Sequence, residues 1–194
     1  MILHSTRFLI DVDQYYKMAE AGIIQPTDRV ELIHGEILTM SPINSPHIAL
    51  INRLTKLFVR NLDDKATISF QNPIRINQRT EPEPDAVIAK YRKDEYENKK
   101  ITPKDIYVVV EVAASSLEYD RRVKIPLYAK AGISEYWIIN VNKKQIEQYT
   151  KPKGDEYLEK KIIRKKGKIV CSAIELTIKE RIFFYNKTPL EELQ

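Results

Sequence analysis

The chain has 194 residues, 43% apolar and 30% charged, with a formal net charge of +5. That length predicts one domain with a real core, and the composition excludes a disordered or fibrous chain. Five glycines argue against a glycine-rich phosphate loop, and a lone Cys171 excludes an intrachain disulfide or a cysteine-based zinc site.

A reducing, cytoplasmic setting is expected from that cysteine usage. The longest apolar runs, Val108-Val109-Val110 and Trp137-Ile138-Ile139, are far too short to cross a bilayer. No membrane partner is expected, and residues 1–7 lack the charged and then apolar pattern of a secretory signal. The charge is unevenly placed. Residues 143–168 hold ten basic and four acidic groups, a local +6 on an otherwise near-neutral chain. Such a block suits either a solvated hairpin or a polyanion partner such as nucleic acid.

In chain order, residues 11–20 read as a short helix with Asp11 as N-cap and Gly22 just past its end. Residues 29–33 and 36–40 flank His34-Gly35 and read as a hairpin. Ser45-Pro46 predicts a helix start, Ser45 as cap and Pro46 as the first helical residue. Ile48, Ile51, Leu54, Leu57 and Phe58 form its apolar stripe. Strands follow at 66–70, extending toward Ile76, then at 85–89 and 106–112, the last apolar on both faces. The charged stretch 90–105 reads as a loop with a helical turn. Pro126 requires the next helix, ending at Gly132, to begin no earlier than about Val123. A buried strand at 135–141 is followed by a meander of strands at 143–150, 156–164 and 168–172. The fold class is mixed α/β, helices covering a small, largely antiparallel sheet.

Glu111 ends a run of valines, where an unpaired carboxylate is costly to bury. It is therefore a ligand, a catalytic group or half of an ion pair. Asp85 opens the preceding strand. If the two strands pair antiparallel, the carboxylates converge, and two acidic oxygens at one sheet edge suit Mg²⁺. Alone, Asp85 reads equally well as a turn cap after Pro84. Lys124, at the mouth of the next helix, can neutralise both acids; alone it is surface charge. Glu31, among apolar neighbours on the first hairpin, is a further candidate, with Glu36 facing it across that hairpin. His47 in a helix's first turn reads as structural or exposed, and His4, His34 and His47 lack zinc spacing. Ser115-Ser116 lacks the G-x-S-x-G turn of a serine hydrolase.

Several segments resemble the Uma-type endonuclease family of the PD-(D/E)XK, restriction-endonuclease-like superfamily. They are Val30-Glu31-Leu32-Ile33-His34-Gly35-Glu36, Met40-Ser41-Pro42, Pro84-Asp85, Val109-Val110-Glu111-Val112 and Tyr119-Asp120-Arg121, within a span of roughly residues 8–150. The longest, and the most specific, runs from Lys124-Ile125-Pro126-Leu127-Tyr128 through Gly132 to Glu135-Tyr136-Trp137-Ile138-Ile139-Asn140.

The resemblance implies an α-β-β-β-α-β nuclease core over about residues 45–142. An N-terminal helix and hairpin precede it, and C-terminal strands follow to about 185, all within one domain. It implies Mg²⁺, with Mn²⁺ as substitute, held by Asp85, Glu111 and the Val112 carbonyl. Catalytic roles fall to Asp85, Glu111, Lys124 and Glu31. The superfamily lysine two residues after the glutamate is absent, since that position is Ala113; Lys124 looks like its migrated equivalent. His34 stands where the family often has Asp, and Ala114-Ser115-Ser116 where it has Ser-Pro-Ser. The implied activity is metal-dependent hydrolysis of nucleic-acid phosphodiesters, DNA above all, with a homodimer favoured if both strands of a duplex are cut. Two other readings stay open: a decayed nuclease module that binds nucleic acid or a protein partner, and a regulatory protein acting through its C-terminal strands.

Overall fold

The computed structural model describes residues 7–184. Helix α1 (Val12–Glu20) begins where Asp11 and Gln14 form a reciprocal capping box. Strands β1 (Val30–Ile33) and β2 (Glu36–Thr39) form an antiparallel hairpin. Its turn residues, His34 and Gly35, have φ of 52° and 83°, as a tight hairpin turn demands. A Cβ at Gly35 would lie 2.8 Å from Leu9 Cβ and 2.9 Å from the Ile10 carbonyl, so only glycine fits. The register pairs Glu31 with Leu38 and Glu36 with Ile33. Glu36 therefore does not face Glu31; it pairs with Arg7 instead.

Helix α2 (Ser45–Leu62) is capped one residue earlier than the sequence suggests. The Asn44 side chain accepts the His47 N–H at 3.0 Å, and Ser45 is already helical. Its core stripe is Leu50, Leu54, Leu57, Phe58 and Leu62, while Ile48 is exposed. Leu54, Leu57 and Phe58 are buried as expected and Ile51 packs against them half-buried, so only Ile48 leaves the predicted stripe, and Leu50 and Leu62 join it.

A six-stranded sheet has the order β3-β4-β5-β6-β7-β8, from β3 (Ala66–Phe70), β4 (Ala86–Lys90), β5 (Ile106–Ala113), β6 (Glu135–Asn140), β7 (Gln145–Lys153) and β8 (Glu156–Ile163). All pairs are antiparallel except β5–β6. β3 stops at Phe70 because Gln71 takes a left-handed φ of 49°, so there is no extension to Ile76. The predicted meander divides: β7 and β8 extend the main sheet, whereas β9 (Lys168–Cys171) and β10 (Leu176–Lys179) form a separate antiparallel pair. The short helix α5 (Arg181–Phe184) then packs against α2.

β5 is the spine. Val108, Val110 and Val112 pack in the core that holds α2, and Val109 and Ala113 in the core on the opposite face. Burying such side chains stabilises by about 1.5–3 kcal/mol each for the larger ones. That opposite face is covered by α3 (Leu117–Tyr119), a π-helical turn (Asp120–Lys124) and α4 (Ile125–Lys130), continuous in the chain. The helical path thus starts six residues before the limit set by Pro126. A proline ring clashes with the carbonyl four residues back. Here the turn is widened: the Ile125 N–H bonds to the Asp120 carbonyl, five residues back, and helix persists through the proline. Such π turns recur at functional sites.

Candidate active site

The register that pairs Ala86 with Val110 sets Asp85 beside Glu111. The Asp85 N–H donates to Glu111 Oε2 at 3.3 Å, and the Val112 N–H donates to Asp85 Oδ2 at 2.8 Å. His47 of α2 brings Nε2 within 2.9 Å of Asp85 Oδ1. Glu111 is buried, and Tyr128 Oη donates to its Oε1 at 2.9 Å. Burial pushes its carboxyl well above the usual range. Lys124 opposes the shift, and Asp85, Asp120 and Glu31 add to it.

The π turn brings Lys124 inward. Its ammonium is buried, 2.5 Å from Glu31 Oε2 and 3.7 Å from Glu111 Oε1, within 6 Å of the Tyr119 and Tyr128 rings. Burial works against its charge, yet the Glu111 and Glu31 carboxylates hold it above its ordinary value. Glu31 also accepts from Tyr119 Oη at 2.8 Å and from the Glu83 N–H at 3.2 Å. Asp120 points to the same cluster and accepts from Ser116 Oγ at 2.8 Å. Burial pushes its carboxyl up to about 6; the Ser116 hydrogen bond and Lys124 oppose this, while Asp85 and Glu31 reinforce it.

Apart from Tyr128, which lies behind Glu111, these groups line a cleft of about 250 Å³ between the start of α2 and residues 114–120. The structure therefore brings together Asp85, Glu111, Lys124 and Glu31 as the sequence suggests. It also adds Asp120, Ser116, Tyr119 and Tyr128. Tyr119-Asp120 and Tyr128 lay within quoted motif segments, but nothing in their spacing gave them roles. His47, read from the sequence as structural or exposed, faces Asp85. The Val112 peptide meets Asp85 through its N–H. His4 lies outside the described residues. Among the described residues no three His, Cys, Asp or Glu side chains form a metal cage by themselves, and no helix is long and apolar enough to cross a membrane.

The oxygen donors nevertheless suit a hard cation. Mg²⁺ commonly takes one or two carboxylates and fills its other positions with water and substrate phosphate. Glu31, Asp85, Glu111 and Asp120 crowd four acids around one lysine, with His47 at the edge. That imbalance adds to the burial that drives the Glu111 and Asp120 carboxyls toward their protonated forms, and it is the kind a bound cation relieves.

A second charged cluster lies on β7. Glu147 is fully buried and is met by Arg121, by Tyr149 Oη at 2.6 Å, by Lys160 Nζ at 2.9 Å and by Gln145 Nε2 at 3.1 Å. Arg121 belongs to the π turn, so Glu147 ties that turn to the sheet.

A family model named Uma2, described as "Putative restriction endonuclease", matches residues 12–178. The fold is similar to that of a solved "putative nuclease belonging to DUF820" from Anabaena variabilis. The TM-score is 0.71 and the identity 14%, over 90% of this chain and 97% of that one. No curated protein matches the chain.

Proposed function

We propose a nuclease function from one established premise: the chain belongs to the Uma2 family, which carries the restriction-endonuclease description. The reaction is hydrolysis of nucleic-acid phosphodiester bonds, with duplex DNA as substrate. The observation that carries this reading is the convergence of Asp85 and Glu111 from adjacent antiparallel strands, with Lys124 Nζ 3.7 Å from Glu111, inside an open cleft.

Asp85 and Glu111 would hold Mg²⁺ or Mn²⁺, with the Val112 carbonyl as the backbone donor the family resemblance implies. Bound there, the cation supplies Lewis-acid polarisation of the scissile phosphate and a more acidic water. The chain's own groups do the rest. Tyr128 and the Asp85 N–H fix both oxygens of Glu111, and the Val112 N–H fixes one oxygen of Asp85. Lys124, kept charged by its carboxylate neighbours, offers a fixed positive charge toward negative charge developing on the phosphate. Glu31 and Tyr119 hold that lysine in position, so Glu31 is a positioning residue here. His47 contacts Asp85 from the opposite wall and can orient its carboxylate. A two-fold pair of chains is the assembly that would set one site on each strand of a duplex.

The test is nicking of a supercoiled plasmid with added Mg²⁺ or Mn²⁺, comparing wild type with Asp85→Asn. Metal-dependent nicking lost in the folded variant supports the reading. No cleavage of DNA or RNA by wild type with either metal would overturn it.

A further inference from the structure

The acidic cleft opens at one end of a longer edge that carries positive charge. β5 and β6 run parallel and finish together, Ala113 beside Asn140. β7 begins and β8 ends at that same end, with Asn140 beside Gln145 and Ile146 beside Ile163. The β6–β7 turn and the loop after β8 therefore share the sheet end that carries Asp85 and Glu111. Side chains join these parts. Asn142 Nδ2 donates at 2.8 Å to the carbonyl of Ala114, a cleft residue, and Arg164 Nε donates at 2.8 Å to Gln145 Oε1.

Cations collect along this edge. Residues 141–146 and 164–168 contain six lysines and arginines and no carboxylate. Lys143, Lys165, Lys166 and Lys168 are exposed. The β9–β10 register sets Lys168 directly opposite Lys179, and the buried Glu180 follows Lys179, its N–H donating to the Gly167 carbonyl at 2.8 Å. Lys161 is exposed on β8, opposite Gln148; the other lysines of the basic block are differently placed. Lys151 is paired with Glu159 at 2.6 Å, and Lys160 with Glu147. At the far tip of the hairpin, Lys153 is accompanied by Asp155 and Glu156. The excess of positive charge thus lies at the cleft end.

We infer that this edge is a phosphate track continuous with the cleft. It holds the sugar–phosphate backbone on the β8 side of the bond presented to Asp85 and Glu111. The inference rests on the nuclease reading for what enters the cleft. Three strand spacings separate β5 from β8, about 14 Å, which spans roughly four base pairs of duplex. The track touches backbone and not bases, so it adds affinity without sequence preference.

The test uses Asp85→Asn protein, so that binding is read without cleavage, and a synthetic DNA duplex as probe. Replacing Lys143, Lys165, Lys166 and Lys168 together by Gln is expected to weaken binding at least ~10-fold at low salt. It should also flatten the slope of log affinity against log salt by about 2–4. The paired control, Lys151→Gln with Lys153→Gln, is expected to leave the slope unchanged. A quadruple variant that keeps the wild-type slope, or a control that flattens it equally, overturns the track. Plasmid nicking by wild type decides the nuclease reading separately. Nicking with an unchanged slope sinks the track alone, and a track-dependent slope without nicking sinks the nuclease reading alone.

Discussion

Replacing Glu147 by Gln should destabilise the protein by an amount that shrinks in acid. Burial alone would raise the Glu147 carboxyl. The hydrogen bonds from Arg121, Tyr149 and Lys160 outweigh it and bring the carboxyl down to about 2 from an ordinary 4.5. A depressed acid contributes stability that is fully present above its unfolded value and is lost as pH falls through its folded value. The window is therefore from about 4.5 down to about 2. The full difference converts to about 3.4 kcal/mol. The Arg121 and Lys160 side chains are 30% and 39% exposed, so solvent screening trims the expectation to about 2–3 kcal/mol. Urea unfolding of wild type and Glu147→Gln at pH 7, and again near pH 3, measures it. The pH-dependent gap should shrink by about half or more between those points. A smaller, pH-independent cost remains, because a Gln amide sets one donor against the cluster's donors. A gap that does not change with pH would refute the assignment of Glu147 as the anion of this cluster. It would leave only packing to explain the loss.

In the proposed site, Asp85→Asn, Glu111→Gln and Lys124→Ala should each lower metal-dependent cleavage at least ~100-fold with circular dichroism unchanged; full activity in Glu111→Gln would contradict the assignment. In chelator, Glu111→Gln should unfold at or above the wild-type urea midpoint. The raised Glu111 carboxyl makes wild type lose stability as pH rises above the ordinary value of about 4.5, while Gln does not titrate, so the variant's advantage should be larger at neutral pH than below pH 4.5. Added Mg²⁺ should then stabilise wild type more than the variant, and a clear drop in the chelated variant would instead make Glu111 half of a structural ion pair. Glu31→Ala should cost about 3–5 kcal/mol in urea unfolding, because it removes the nearest partner of a buried lysine; Glu31→Ala combined with Lys124→Met should recover part of that loss.

The sequence by itself determined most of the elements and the placing of Asp85 and Glu111 side by side. The continuous apolar run along residues 106–112 and the turn chemistry around Pro84 are local signals. Adjacent antiparallel strands leave Asp85 and Glu111 no arrangement except side by side. The Asp11 cap and the His34-Gly35 turn are equally local, since each depends on residues a few positions apart. What lay beyond the sequence depended on contacts between distant segments. Whether Lys124 is a surface charge or a buried one is decided by Glu31, 93 residues away, and by a π turn just before Pro126, the residue that predicted a later helix start. His47 became part of the site only because the first turn of α2 lies against Asp85, just before the start of β4. The basic block read as one segment because charge was summed along the chain. The fold divided it: antiparallel pairing sends Lys151 and Lys160 to carboxylate partners and carries Lys143, Lys165, Lys166 and Lys168 to the edge beside the cleft. Local conformation follows from neighbouring residues. The protonation, burial and pairing of a charged group follow from the field and contacts of the whole fold, which no window of sequence contains.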